Sequence, residues 1–249
     1  MSILVLVAFF AVVAYYALKV MKKRDADFAA AAPKMGYAYS LAASPFEGSD
    51  MSGIALFTET SWRRFRNVLA APGGRPVVIS QFSYQIFRSK MKAEMGSVST
   101  DKVQDHSLIA YRTPHGSLPR FRLYTRGMFG NLGMPLDAAA FKGKGGVDLG
   151  SAEFAQRYLL VAEDETRVRM LFTPFLVKAL VDQPQHTWLH MQASPDWLVF
   201  YDPATRILKP EAIAPALARI GPIAERILGG SAAPDSPAPL DASAGSDPR

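Results

Sequence analysis

The sequence contains no cysteine among its 249 residues. Disulfide bonds, thiolate metal sites and cysteine nucleophiles are therefore excluded. The sequence also lacks a serine-hydrolase elbow, a P-loop and a dinucleotide-binding glycine motif placed between a strand and a helix. These absences leave no catalytic, cofactor-binding or metal-ligating residue to nominate. An enzyme with an unrecognised active site is kept as the alternative to a non-catalytic module.

Charged side chains are missing from the first 18 residues, and residues 3–21 form an apolar run whose one charge is Lys19. At about 1.5 Å of rise per residue, this run of about 19 residues approaches the roughly 30 Å hydrocarbon layer of a bilayer. Tyr15, Tyr16 and Lys19 lie near the end of the run, where aromatic rings and lysine side chains favour the interface. The run predicts a single transmembrane helix.

A cleaved signal peptide is the competing interpretation of this run. Such a peptide needs basic residues before a shorter apolar stretch, whereas here the cluster of Lys22, Lys23 and Arg24 follows the stretch. The positive-inside rule keeps that cluster in the cytoplasm. We therefore expect an uncleaved signal-anchor, and we assume that the membrane is a bacterial inner membrane. The expected units are residues 1–24 as anchor and basic stop, 25–230 as a cytoplasmic domain, and 231–249 as a disordered tail.

Hydrophobic periodicity in the remaining chain predicts an α+β fold, an antiparallel β meander packed with two to three helices. The expected strands are residues 37–41, 65–71, 76–87, 106–113, 120–126, 147–149, 157–162, 187–192 and 197–201. In the strand at 76–87, we place Val78, Phe82 and Tyr84 on one face. The expected helices are a juxtamembrane spacer at 25–35 ended by Gly36, a helix from about 163 to 180 broken at Thr173 and Pro174, and a helix at 210–228 kinked at Pro222 and ended by Gly229.

Two features have the form of a binding site but favour a structural role. His186 and His190 have the spacing of a zinc-binding helix, yet their neighbours predict a strand, on which they would lie about 13 Å apart. The glycine-rich residues 141–146 resemble a phosphate-binding loop, but such connections usually serve as turns. No cofactor or metal is therefore expected.

Four short segments carry a resemblance to a family. They are Arg66-Asn67-Val68-Leu69, Phe82-Ser83-Tyr84, Leu118-Pro119-Arg120-Phe121-Arg122-Leu123 and Leu171-Phe172-Thr173-Pro174. With them, the chain resembles an uncharacterised family of bacterial single-pass membrane-anchored proteins, in which Asp usually stands at the position of Ser83. The resemblance implies an anchored α+β domain and no assigned activity.

Positive charge is concentrated in the middle of the chain. Residues 60–126 hold 12 basic and three acidic side chains, whereas residues 25–59 hold one and five. The basic residues that we expect to contact an anionic surface are Arg63, Arg64, Arg66, Arg120, Arg122 and Arg126. Four interpretations of this positive charge stay open. It forms an ordinary solvated face, or it binds anionic lipid of the cytoplasmic leaflet, an acidic protein partner or, least favoured, nucleic acid. We expect a membrane-tethered interaction or scaffold module whose basic sheet docks on anionic lipid.

Overall fold

The computed structural model describes residues 3–58, 60–70, 76–86, 102–113, 118–126, 146–184, 189–202 and 207–231. The helices in these ranges are α1 (Ile3–Ala31), α2 (Ala55–Thr58), α3 (Ala152–Arg157), α4 (Glu165–Leu171), α5 (Pro174–Val181) and α6 (Pro210–Ser231). The strands are β1 (Ala38–Ser40), β2 (Ser61–Ala70), β3 (Val77–Ile86), β4 (Lys102–Arg112), β5 (Phe121–Thr125), β6 (Tyr158–Ala162), β7 (His190–Ala193) and β8 (Trp197–Tyr201). The predicted α+β class is confirmed.

Helix α1 is long and apolar enough to cross a membrane, with a mean hydropathy of 1.8 in its apolar part. It continues to Ala31 as a single helix of 29 residues. A short 3-10 turn follows, and Gly36 ends it at a φ of 75°, a left-handed conformation that glycine adopts without steric cost. The prediction of a spacer at 25–35 is wrong in its packing, because Phe28 and Ala32 are fully buried in the core of the domain.

Eight strands form one antiparallel sheet in the order β1-β2-β3-β4-β8-β7-β5-β6. The predicted meander is confirmed for β1 to β4. However, β5 does not follow β4 in the sheet, because the hairpin of β7 and β8 lies between them. Strand β8 pairs with β4 from Leu108 and Tyr201 to Arg112 and Trp197, and β7 pairs with both β8 and β5. The sheet therefore has two parts that are joined by a hairpin from late in the chain.

Each face of the sheet is covered by a hydrophobic cluster. On the helical face, the end of α1 and helices α3 to α6 contribute buried side chains that include Phe28, Val168, Leu176 and Ile223. On the opposite face, the segment around α2 covers strands β2, β3, β4 and β8. Because both faces are covered, the strands carry more buried residues than a sheet with one wet face would allow.

A bulge in β3 corrects one predicted face. The register shifts between the pair Ile79–Leu108 and the pair Phe82–His106, so that β3 has one more residue than β4 across this interval. An extra residue reverses the alternation of side chains beyond it. Val78 therefore belongs to the helical face, whereas Phe82 and Tyr84 belong to the opposite face.

The predicted break in the second helix is confirmed. The Asp164 side chain caps α4, and Thr173 caps α5 with Pro174 in its first turn. Several bounds differ from the prediction: β2 and β4 begin four residues earlier than expected, at Ser61 and Lys102, and α3 was not predicted. Residues 147–149 are not a strand, although the Val147 N–H donates to the Leu160 carbonyl, and α6 continues past its glycines to Ser231 with Pro215 and Pro222 inside it. The predicted disordered tail beyond Ser231 lies outside the described residues.

Candidate membrane-facing site

The end of α1 packs on the helical face beside β2. Phe28 and Ala32 have no exposed surface and belong to the same cluster as Leu69 of β2 and Val78 of β3. In contrast, residues 5–20 of α1 are exposed, and cover by the rest of the chain begins at Met21. From Ile3 to Val20, the helix spans about 27 Å. The apolar helix therefore ends where the domain begins.

An ion pair fixes this junction. The Arg66 guanidinium on β2 donates from Nε to Asp25 Oδ1 at 3.0 Å and from Nη2 to Asp25 Oδ2 at 2.5 Å. The hydrogen bond from Arg66 is the largest cause that holds the pKa of Asp25 below its ordinary value, and burial opposes it. The preceding residue, Arg24, donates from Nη2 to Gln81 Oε1 at 2.5 Å. Two consecutive residues of α1 therefore bind two paired strands.

Asn67 determines which side chains of β2 face α1. Its φ is 54°, a left-handed conformation that asparagine tolerates better than most residues. Phe65 and Val68, on either side of Asn67 and Arg66, both pack on the face covered by α2. Arg66 and Leu69 consequently face α1. The Asn67 side chain accepts a hydrogen bond from the Tyr39 hydroxyl at 2.8 Å, which ties β1 to the same place.

Helix α1 and strand β2 run in the same direction. Asp25 contacts Arg66, and soon after α1 the chain enters β1, where Ala38 pairs with Ala70 at the end of β2. The residues of β2 that precede Arg66 therefore extend toward the apolar part of α1. Since a strand rises about 3.3 Å per residue, Arg64 lies about 7 Å back from Arg66, near the level of Met21.

Arg63 and Arg64 are exposed at this end of β2. Arg63 Nη1 donates to the carbonyl of Phe57 at 2.7 Å, which positions its guanidinium. Lys22 and Lys23 are exposed on α1 at the same level. We call these four residues, Lys22, Lys23, Arg63 and Arg64, the basic rim.

The three arginines near β5 lie elsewhere. Strand β5 is five positions from β2 in the sheet, which corresponds to about 24 Å. Arg120 bridges Asp50 and Glu163 at 3.2 and 3.4 Å. Arg122 Nε donates to the Gly53 carbonyl at 3.4 Å, and Arg126 Nε donates to the Tyr158 carbonyl at 3.2 Å. The structure therefore does not bring the six predicted contact residues together on one surface.

A buried cluster of histidines and tyrosines lies under α2, and sequence analysis missed it. His106 Nδ1 donates to the Asp202 carbonyl at 2.9 Å, so its Nε2 accepts from the Tyr84 hydroxyl at 2.9 Å in the neutral ring. Burial lowers the pKa of His106. Gln192 Nε2 donates to the Tyr201 hydroxyl at 2.9 Å. The sequence pattern did not predict this cluster because its members come from five strands, β3, β4, β5, β7 and β8.

His190 is at the centre of this cluster and is fully buried. Neither ring nitrogen has a hydrogen-bond partner among the described residues. Its ring packs edge-on against Tyr124 and Tyr201 with centroid separations of 5.3 and 5.1 Å. Burial, with a smaller contribution from His106, lowers its pKa to about 3. His190 is therefore a neutral side chain of the interior, on a strand as predicted, while His186 and most of the glycine-rich residues 141–146 lie outside the described residues.

The described part of the chain holds no group of three or more histidine or acidic side chains arranged to bind a metal. A surface cleft of about 630 Å³ lies among α3, α4 and α5. Phe172, Val177 and Val181 provide apolar surface to its lining, and charged residues of both signs provide the rest. This mixture does not indicate one class of ligand.

Comparisons with known proteins add little to this geometry. No protein-family model matches the chain. No curated protein matches it either. A solved structure with a related shape is the crystal structure of the mycobacterial trehalose monomycolate transport factor A, TtfA, which is 13% identical. The match covers 82% of this chain and 93% of that chain with a TM-score of 0.49, which is too distant for a functional argument.

Proposed function

We propose that this chain is a single-pass membrane protein whose cytoplasmic domain is an interaction or scaffold module held directly against the inner membrane. One observation carries the proposal: α1 passes from an exposed apolar helix into the domain core without a break. Phe28 and the pair of Asp25 and Arg66 hold the end of α1 on the sheet. A domain attached in this way has a defined position relative to the bilayer, which a flexible linker would not provide.

The orientation rests on charge at one end of the helix. Lys22, Lys23 and Arg24 follow the apolar stretch of α1. The positive-inside rule then predicts that the domain lies in the cytoplasm and the N-terminus outside. Because the chain has no cysteine, single-cysteine variants can test this prediction directly.

The topology experiment uses Ser2→Cys and Ala42→Cys in intact bacterial cells. The reagent is a maleimide that passes the outer membrane but not the inner membrane. It should label the cysteine at position 2 and leave the one at position 42 unlabelled. Lysed cells should show labelling at both positions, which controls for reactivity. Labelling at position 42 in intact cells would reverse the proposed orientation.

The scaffold role is tested by crosslinking in living cells. A photoreactive residue is placed at exposed positions of the domain, such as Ala42 or Glu47, and a matched one replaces Phe9, which is exposed within the apolar part of α1. Discrete protein adducts from the domain positions, absent at position 9, are the expected result. If domain positions give none, the scaffold role is wrong and the alternative class is favoured.

That alternative is an enzyme with an unrecognised active site, and the unpaired imidazole of His190 is the observation that favours it. Unsatisfied buried polar groups are uncommon in folded proteins and sometimes have catalytic roles. The enclosure of His190 argues against it, because no part of the ring is exposed to a substrate. We therefore favour the interaction module.

A further inference from the structure

We propose that the basic rim binds the phosphate groups of anionic phospholipids at the membrane surface. This inference rests on the proposed position of the domain against the bilayer. It replaces the broad sheet face expected from sequence by four residues on two elements, Lys22 and Lys23 of α1 and Arg63 and Arg64 of β2. The three arginines near β5, Arg120, Arg122 and Arg126, have no part in it.

The first support is the level of these residues along α1. The exposed apolar part of the helix ends at Val20, and Lys22 and Lys23 follow within one turn. Arg66 is fixed to Asp25, and Arg64 lies two residues before it on β2. By the spacing of residues along a strand, Arg64 is therefore near the level of Met21. When the apolar part fills the hydrocarbon layer, the basic rim consequently lies at the depth of the lipid headgroups.

The second support is the local excess of positive charge. Residues 19–25 and 61–66 together hold seven basic side chains and one acidic side chain, Asp25. Arg66 and Asp25 neutralise each other through their two hydrogen bonds. The other charged side chains of these two segments are all basic, and the next carboxylate along α1 is that of the exposed Asp27.

The third support is the chemistry of the donors. A guanidinium has five N–H donors in a planar fork that matches phosphate oxygens. Arg63 uses one nitrogen for the carbonyl of Phe57 and keeps other N–H groups for a ligand. Lysines on the adjacent helix add flexible point charges. Arg120, by contrast, already binds two carboxylates, which would repel a phosphate.

Position also favours lipid over nucleic acid as the anionic partner. The basic rim borders the apolar end of α1, where a bilayer would leave no room for a polymer beside it. Near an anionic leaflet, each basic residue contributes about 1 kcal/mol of attraction, which corresponds to about fivefold in affinity. Loss of both arginines should therefore reduce lipid preference by more than tenfold.

The experiment uses the full chain reconstituted in vesicles of phosphatidylcholine. Trace spin-labelled phosphatidylglycerol or phosphatidylcholine is added, and the motionally restricted fraction gives the preference for the anionic lipid. The variants are Arg64→Gln, the double variant with Arg63→Gln, and the charge-retaining Arg64→Lys. The matched control is Arg112→Gln, an exposed arginine at the far end of β4.

Wild type and Arg112→Gln should prefer phosphatidylglycerol, and the preference should fall as salt increases. Arg64→Gln should lose about fivefold, the double variant more, and Arg64→Lys little. An equal loss in Arg112→Gln would show that only net charge matters and would overturn the proposal. An unchanged preference in the double variant would also overturn it. A preference for single-stranded nucleic acid added to the vesicles over the anionic lipid would point to the other class of partner.

A second measurement separates this inference from the proposed function. Fluorophores on single cysteines at positions 64 and 112 are quenched by spin labels on neutral lipid headgroups. Asp105 of β4 lies level with Arg64 through Ser83, so position 112 is about 23 Å farther along the sheet. If position 64 alone is quenched and the protein shows no preference for anionic lipid, the proposed lipid site is wrong, whereas the proposed position of the domain against the bilayer stands. Equal, weak quenching at both positions would remove both proposals.

Discussion

The arginines of β2 and those near β5 have the same chemistry and opposite surroundings. Arg66 pairs with an aspartate on α1, and its side chain and that of Asp25 are only 22% and 16% exposed. Arg120 pairs with Asp50 and Glu163, whose side chains are 43% and 67% exposed. Charge pairs that are partly shielded from water interact more strongly than pairs at the surface. The Arg66 pair therefore holds α1 against the sheet, whereas the Arg120 pairs lie exposed to solvent near β5.

This difference indicates that the domain has an anchored half, α1 with β1 to β4, and a distal half, β5 to β7 with α3 to α5. In the anchored half, contacts across the sheet converge on α1. In the distal half, polar contacts link the ends of neighbouring helices, as where Arg157 of α3 binds the carbonyls of Val181 and Gln183 at the end of α5. The following predictions test whether the two halves differ as described.

Phe28→Ala should have the largest effect. Removal of a fully buried phenylalanine leaves a cavity and costs about 3–5 kcal/mol in the free energy of unfolding. Chemical denaturation of the full chain in detergent micelles, followed by tryptophan fluorescence, measures this loss. Phe9→Ala is the matched control, because Phe9 is 61% exposed and lies outside the domain. A similar loss in both variants would show that α1 is not part of the domain core.

His190 lies where the two halves meet and should make folding stability depend on pH. Its pKa of about 3 in the folded protein lies below the ordinary value of 6.5. The unfolded chain therefore binds a proton first as the pH falls, so the stabilising contribution is present above pH 6.5 and is lost between pH 6.5 and about 3. His106, with its pKa also lowered, changes stability in the same direction.

His190→Leu removes this titration and keeps an apolar side chain of similar size. We expect a smaller decline in the free energy of unfolding between pH 6.5 and 4.5 than in wild type, and equal or greater stability at pH 7.5, because an unpaired buried imidazole is replaced. The pKa of Asp25 is lowered from 3.8, so its contribution falls mainly below this window. Identical pH profiles for the two proteins would mean that His190 is solvated or paired.

Local features of the fold were predictable from sequence because their causes lie within a few residues. Thr173 Oγ1 accepts from the Leu176 N–H, and Pro174 begins α5, as the pair of residues predicts. Gly36 adopts the left-handed conformation expected at the end of a helix. The length and apolar character of α1 likewise depend on a continuous segment of the chain.

The partners of strands were not predictable in this way. Alternation of apolar and polar residues identifies the two faces of β4 and of β5, but it does not identify the strands that pair with them. The hairpin of β7 and β8, from late in the chain, lies between β4 and β5. The bulge in β3 reverses a face without a strong sequence signal, since neither proline nor glycine marks Ser80 or Gln81. The six arginines were grouped by their proximity in sequence, whereas the sheet order separates them. Where charged residues lie in space depends on long-range pairing.

Arg66→Gln should have a smaller effect than Phe28→Ala. It leaves Asp25 partly buried without its guanidinium, and hydrogen bonds to charged groups contribute about 1.5–3 kcal/mol. The free energy of unfolding of the full chain in micelles should fall by about that amount. The double variant with Asp25→Asn should recover part of the loss, because no carboxylate is then left unpaired. Additive losses would show that the two residues do not interact.

Arg120→Gln should have the smallest effect and completes the comparison. Its ion pairs are exposed, and such pairs contribute about 0–1 kcal/mol to the free energy of unfolding. Asp50 keeps its lowered pKa mainly through hydrogen bonds with Ser52, with Arg120 a lesser cause. The same denaturation measurement, made in low and high salt, should show a small difference that salt removes. A loss as large as that of Arg66→Gln would mean that the arginines near β5 are as important to the fold as those of the anchored half.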